Sequence, residues 1–175
     1  MCSHKSHLCP QVDTINSVQF SNHTGYSAGV RGQILDDSQL QELIDGLDAN
    51  NINSYSHIIN GYIGSRWGKY FMFQNSPCVF CISNCRSFLT KLASVVSHLK
   101  SVNPALVYVC DPVMGDTGPG LYVPPDLLPV YKSQILPLAD VCLPNQFEVR
   151  QERPEHSRAA SLLWAKNTLG CAAAG

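Results

Sequence analysis

The chain has 175 residues, a length that fits one domain, since folded units mostly run to about 100–200 residues. Apolar residues make up 45% and charged residues only 14%, against ~25% in an average protein, which argues against disorder along the whole chain. Twelve Lys and Arg nearly balance thirteen Asp and Glu, and a net charge of −1 supplies no general pull toward nucleic acid or anionic membranes.

No apolar run approaches the ~18 residues of a membrane helix, and the opening MCSHKSHLCP lacks the hydrophobic stretch of a signal peptide. The expectation is a soluble, cytoplasmic protein whose eight cysteines are thiols rather than disulfides.

Ile15, Val18 and Phe20 mark a strand at 14–20, ended by the turn-forming Ser21-Asn22-His23-Thr24-Gly25. Ser38 with Gln41 reads as a capping box, and Leu40, Leu43, Ile44 and Leu47 then recur at helical spacing, which predicts a helix over 38–49. His57-Ile58-Ile59-Asn60 reads as a second strand, stopped by Gly61-Tyr62. Phe88, Leu89, Leu92, Val95, Val96 and Leu99 restore the helical period over 88–100, with Ser87 as cap. Asn103-Pro104 breaks that helix, and Ala105 to Cys110 is nearly continuous apolar sequence, as a parallel strand covered on both faces requires. A glycine-rich loop from Asp111 to Pro125, a helix at 126–135 and a strand from Leu138 to Leu143 complete a β-α-β-α-β-α-β order.

Alternation of this kind predicts a parallel sheet with right-handed crossovers, and ligands bind such sheets at the carboxyl ends of the strands. Loops 21–26, 61–65, 111–123 and 144–148 should therefore converge, bringing together Asn22, His23, Thr24, Tyr62, Asp111, Asp116, Asn145 and Glu148. Asp111 and Asp116 suit a cation that also binds phosphate oxygens, or they merely end a strand in a turn. Asn145 and Glu148 suit an anion at a helix N-terminus, or they simply cap that helix. Gly64-x-x-x-Gly68-Lys69 is one residue short of a phosphate loop and is followed by Tyr70, so it is not read as a nucleotide site. Cys78, Cys81 and Cys85 offer three zinc ligands, with Cys2, His4, His7 or Cys9 as a fourth, or are incidental cysteines in an unpatterned insertion.

Several segments carry a more specific signal: Asn16 to Tyr26, the Gly61-Tyr62 pair, Leu106-Val107-Tyr108-Val109-Cys110-Asp111-Pro112-Val113-Met114-Gly115-Asp116, and Pro144-Asn145-Gln146-Phe147-Glu148. Over about 12–64 and 87–149 the chain closely resembles the pyridoxal kinase family of the ribokinase-like superfamily. The resemblance implies a partial ribokinase-like three-layer α/β fold with a mostly parallel sheet. It implies one partial kinase domain over 1–175, with 1–11 unmatched, 65–86 inserted and 150–175 an unmatched tail.

The implied activity is ATP-dependent phosphorylation of the 5′-hydroxyl of pyridoxal, pyridoxine or pyridoxamine in vitamin B6 salvage, with ATP as co-substrate, Mg²⁺ and a monovalent cation. By the same resemblance Thr24 and Tyr62 bind the vitamer, while Asp111, Asp116, Asn145 and Glu148 bind nucleotide and cation, with Asp116 and Glu148 at the metal. A homodimer or pairing with a full-length kinase is implied, with no nucleic acid and no membrane as partner.

The chain also departs from the family. Leu143 stands where a threonine is usual beside the cation, and Thr117-Gly118-Pro119-Gly120 gives a short flap. No Gly-x-Gly-Asp occurs, so the family's catalytic base has no counterpart and no catalytic residue is assigned. The expectation is a truncated relative inactive by itself. The alternatives are a noncatalytic partner of a full-length kinase and a zinc-binding module at 78–85.

Overall fold

The computed structural model describes residues 12–23, 26–63, 79–118, 120–121 and 123–152, with the main chain alone at 79–85 and 150–152. Two short strands open it: β1 (Val18–Phe20) pairs antiparallel with β2 (Gly32–Ile34), Val18 opposite Ile34 and Phe20 opposite Gly32. The run expected at 14–20 is thus a strand over its last three residues only, and it belongs to a hairpin outside the parallel sheet. Gly32-Gln33-Ile34, with a glycine and no alternation, carries no strand signal of its own. The Ser17 hydroxyl donates to the Tyr62 carbonyl at 2.7 Å and ties the hairpin to the rest of the chain.

Helix α1 (Asp37–Ala49) is capped by Asp36, two residues upstream of the expected cap. Asp36 Oδ1 accepts the Gln39 N–H at 2.8 Å while Gln39 Oε1 accepts the Asp36 N–H at 3.0 Å, a reciprocal capping box. Ser38, expected as the cap, instead donates its hydroxyl to Asp36 Oδ1 at 2.6 Å. That bond, with the Gln39 N–H, holds the Asp36 carboxyl below its ordinary range. Past the C-cap Asn50, Asn51 turns the chain out of the helix with a left-handed φ of 57°. There the Ile52 N–H reaches the Leu47 carbonyl at 3.1 Å and the Asn51 N–H the Asp48 carbonyl at 3.0 Å, the paired bonds of a Schellman ending.

Strand β3 (His57–Asn60) falls where its sequence places it, and helix α2 (Val79–Val102) runs longer than the 88–100 expected from its apolar stripe. Within α2, Phe88, Leu89, Val95, Val96 and Leu99 are buried, so the stripe forms the core-facing side of this part of the helix. Strand β4 (Val107–Cys110) follows, then the small hairpin of β5 (Gly115–Asp116) and β6 (Gly120–Leu121). The expected helix at 126–135 is a composite over 125–138. It passes from a 3₁₀ turn (Pro125–Leu127) through α3 (Leu128–Val130) and a π turn (Tyr131–Ile135) to a second 3₁₀ turn (Leu136–Leu138). Pro125, Pro129 and Pro137 lack the N–H groups that a regular α ladder needs. That last turn also shortens the expected strand at 138–143 to β7 (Val141–Cys142), after which α4 (Gln146–Glu152) begins.

The central sheet is parallel in the order β3-β4-β7, with His57 opposite Val107, Asn60 opposite Cys110, and Cys110 opposite Cys142. Its inner face presents Tyr108 and Cys110 to a core built from α2 and the 125–138 segment, including Leu89, Val96, Tyr131 and Ile135. The outer face is different: Val107 and Val109 are half-buried and Ile59 is 72% exposed. The apolar run of β4 is thus fully covered on one face, not two. Asp140 clips the layers together, its Oδ2 accepting Lys100 Nζ of α2 at 2.7 Å and the Tyr108 N–H of β4 at 2.7 Å. Among the described residues no helix is long and apolar enough to cross a membrane.

Candidate functional site

Strand β4 ends in Asp111-Pro112-Val113-Met114, and each residue of this turn is fixed from a different direction. The Asp111 N–H donates to the Asn60 carbonyl at 3.0 Å, and Asn60 Nδ2 returns a bond to the Asp111 carbonyl at 3.3 Å. Asn60 is itself buried and accepts the Tyr108 hydroxyl on Oδ1 at 2.7 Å. The Tyr131 hydroxyl donates to the Pro112 carbonyl at 3.1 Å. Between these anchors Val113 has φ 42°, a conformation that a β-branched side chain strongly resists. The strain is held in place by the bonds on either side of it.

Glu148 supplies the anchor on the far side. Its carboxylate is 1% exposed; Oε1 accepts the N–H groups of Met114 at 2.5 Å and Gly115 at 3.4 Å, and Oε2 accepts the Asn145 N–H at 2.9 Å. Asn145 Oδ1 accepts the Glu148 N–H at 3.0 Å, which completes a capping box on α4, and its Nδ2 donates to the Gly115 carbonyl at 2.7 Å. One Asn–Glu pair therefore starts a helix and grips the β4–β5 turn together. Burial of the carboxylate is offset by N–H donors on both oxygens. Gly115 is required there, because a Cβ would stand 2.6 Å from the Gly120 carbonyl oxygen and closer still to the Phe147 ring.

Asp116 lies on the exposed side of the same turn, with Oδ1 accepting the Thr117 N–H at 2.6 Å. Asp111 is half-buried, and the bonds that fix it are made by its main chain. Tyr62 is half-buried at the end of β3, joined to the turn through Asn60, whose Nδ2 also reaches the Gly61 carbonyl at 3.3 Å. Thr24 falls outside the described residues. Asn22, beside it, donates from Nδ2 to the His23 carbonyl at 3.0 Å and the Gly29 carbonyl at 3.1 Å, closing the loop that holds it. The loops after β3, β4 and β7 are thus brought to one edge of the sheet, while the bond from Ser17 to Tyr62 ties the open end of the β1–β2 hairpin, not its loop, to the loop after β3.

Asn60, Tyr108 and Tyr131 escaped the reading of the sequence as contributors to this site. The available signal was a polar residue closing an apolar strand, His57-Ile58-Ile59-Asn60, at a position facing the core. Just below the turn, Cys110 and Cys142 face each other, and the hydrogen bond between them draws the Cys142 thiol down against the effect of burial, while the same bond and burial together push the Cys110 thiol up. Burial, reinforced by Cys110, likewise pushes the Tyr108 phenol up. Among the described residues no group of three or more His, Cys, Asp or Glu could hold a metal ion by itself. Cys78 lies outside the described residues, and Cys81 and Cys85 are placed in α2 by main chain alone.

No family model matches the chain. It is 45% identical over 157 residues to human pyridoxal kinase, which covers 87% of this chain and 44% of that protein. To the pyridoxal kinase of Arabidopsis thaliana it is 48% identical over 140 residues, 80% of this chain and 38% of that one. The solved structure of Leishmania donovani pyridoxal kinase in complex with ADP superposes with a TM-score of 0.66 at 27% identity, over 91% of this chain and 49% of that one. The chain spans less than half the length of the curated relatives it matches. With its parallel β3-β4-β7 sheet and the Asn–Glu clamp at that sheet's carboxyl edge, it is, over part of its length, related to the pyridoxal kinases and has a partial ribokinase-like α/β fold.

Proposed function

We propose that the chain carries the vitamer-binding and part of the nucleotide-binding half of a pyridoxal kinase, which transfers the γ-phosphoryl group of ATP to the 5′-hydroxyl of pyridoxal, pyridoxine or pyridoxamine. The observation that carries this reading is the clamp of Asn145 and Glu148 on the β4–β5 turn, built from residues that match the family motif at the sheet edge where such folds bind ligands. Thr24 and Tyr62 would contact the vitamer ring from the loops after β1 and β3.

Phosphoryl transfer depends mainly on positioning and on neutralising charge that spreads over phosphate oxygens. Mg²⁺ bound with a nucleotide would supply much of that neutralisation, and one or two carboxylates plus phosphate oxygens are the usual donor set for this ion. Asp111 and Asp116 fit that set. Glu148 adds negative charge beside it, buried and already accepting three main-chain N–H groups. A general base commonly contributes about 10²–10⁴ in rate. The sequence contains no Gly-x-Gly-Asp to supply one, so the chain alone binds without efficient turnover.

Calorimetry with Mg-ATP and fluorescence titration with pyridoxal test this directly. Asp111→Asn with Asp116→Asn should weaken Mg-ATP binding, and Thr24→Ala should weaken pyridoxal about fivefold, the effect of one hydrogen bond near 1 kcal/mol. Unchanged affinities in these variants would overturn the site assignment. Turnover near one per second by the purified chain, within the ordinary enzyme range, would overturn the expectation that it is inactive alone.

A further inference from the structure

Cys110 and Cys142 are directly opposite on β4 and β7, two neighbouring parallel strands. Opposed residues of parallel neighbours project from the same side of the sheet, and here that side is the inner one, since Cys110 is buried in the core and Cys142 packs against it half-buried. Neighbouring strands run ~4.8 Å apart. Disulfides span Cα separations of about 4.4–6.8 Å, so this pair is within bonding range without moving either strand. The register is also fixed from both sides: the Leu143 N–H reaches the Cys110 carbonyl at 2.9 Å, and the Asp111 N–H the Asn60 carbonyl at 3.0 Å.

We propose that Cys110 and Cys142 form a reversible disulfide across β4 and β7. Cys142, the more accessible of the two, reacts first. Its thiolate attacks one sulfur of a small-molecule disulfide such as oxidised glutathione, forming a mixed disulfide and releasing one glutathione thiolate. The Cys110 sulfur then attacks the Cys142 sulfur, giving up its proton to the departing second glutathione. The two protein thiols lose two electrons and two protons, and one glutathione disulfide becomes two thiols. The bond lies one residue before Asp111 and three before Asn145, so it joins the two strand ends from which the candidate site is built. It is independent of the kinase reading, because it rests on the strand register and the burial of the two thiols.

The full chain, fully reduced, is equilibrated in glutathione buffers from reducing to oxidising, quenched in acid, alkylated and mapped by mass spectrometry. The expected result is a peptide pair joined through Cys110 and Cys142, two hydrogens lighter than the sum of its parts, which accounts for most of the Cys142 signal at the oxidising end and disappears at the reducing end. Cys142→Ser and Cys110→Ser should each abolish the pair and leave the remaining thiol open to alkylation, with far-ultraviolet circular dichroism confirming that each variant is folded. Should a variant not fold, the wild-type map decides alone. Cys110 and Cys142 carrying only alkyl or glutathione adducts across the whole range would overturn the proposal. So would Cys142 joined to any other cysteine, or a linked pair that forms only in denatured protein.

Discussion

Glu148 shows how much a single buried side chain can decide in this protein. A carboxylate is rarely buried, and this one is tolerated because three main-chain N–H groups converge on its two oxygens. Glu148→Ala should leave the buried Met114 N–H without its acceptor, at about 1–3 kcal/mol, and remove half of the capping box on α4. Urea unfolding should therefore show a clear drop in midpoint, together with weaker nucleotide binding; an unchanged midpoint would mean that other acceptors hold the turn. Val113 is the complementary case, a strained residue kept at φ 42° by the bonds to Pro112 and Met114 around it. Its type gave no warning, because strain of this kind comes from what surrounds a residue.

At the scale of elements, the ends of α1 were half legible. The periodic Leu40, Ile44 and Leu47 located the helix, but Asp36 and Ser38 each have a glutamine three residues on; the cap is Asp36 with Gln39, while Gln41 is engaged by Asp45 and Lys91. Asn51 closes the helix in the left-handed region, which asparagine tolerates and β-branched residues do not. Asn51→Val should lower stability by about 1–2 kcal/mol, and Asn51→Gly should leave it near wild type or above. Thermal melts that rank the two variants the other way would contradict this account of the ending.

Between elements, Asp140 joins α2 to β4. Burial works to raise its carboxyl, but the Lys100 hydrogen bond, the Tyr108 N–H and the charge of Lys100 together outweigh burial and leave it below its ordinary value of 3.8. A carboxyl depressed in the folded state adds stability above its unfolded value, and that contribution is lost as pH falls through the lower, folded value. Acid titration of stability should therefore show a loss beginning near pH 4 and continuing below it, and Asp140→Asn should remove that part of the profile. The side chain is 45% exposed, so solvent screening keeps the effect modest.

Across the whole molecule, cohesion depends on α2 lying against the inner face of a three-stranded sheet. Leu89 has no exposed surface and belongs to the core that joins them. Leu89→Ala should cost about 2–5 kcal/mol, a large share of the ~5–15 kcal/mol that typically holds a domain together. Denaturant unfolding measures it directly, and a loss under 1 kcal/mol would place the organising core elsewhere. The outer sheet face, with Ile59 72% exposed, adds little to this balance.

The sequence by itself determined which segments are strands and helices wherever an apolar period runs long enough, as in α1, the later part of α2, β3 and β4. It also placed Asp111, Asp116, Asn145 and Glu148 in loops expected at the carboxyl ends of two neighbouring strands, where the structure has them after β4 and β7. Only the tertiary structure decided that β1 leaves the parallel sheet for a hairpin with β2, because a three-residue strand takes its identity from its partner. It alone paired Asn145 and Glu148 with Gly115 some thirty residues away, and set Cys110 opposite Cys142. Long-range pairing has no local signature: each residue's own preferences are satisfied equally well by many partners, and only the packing of the sheet against α2 selects one.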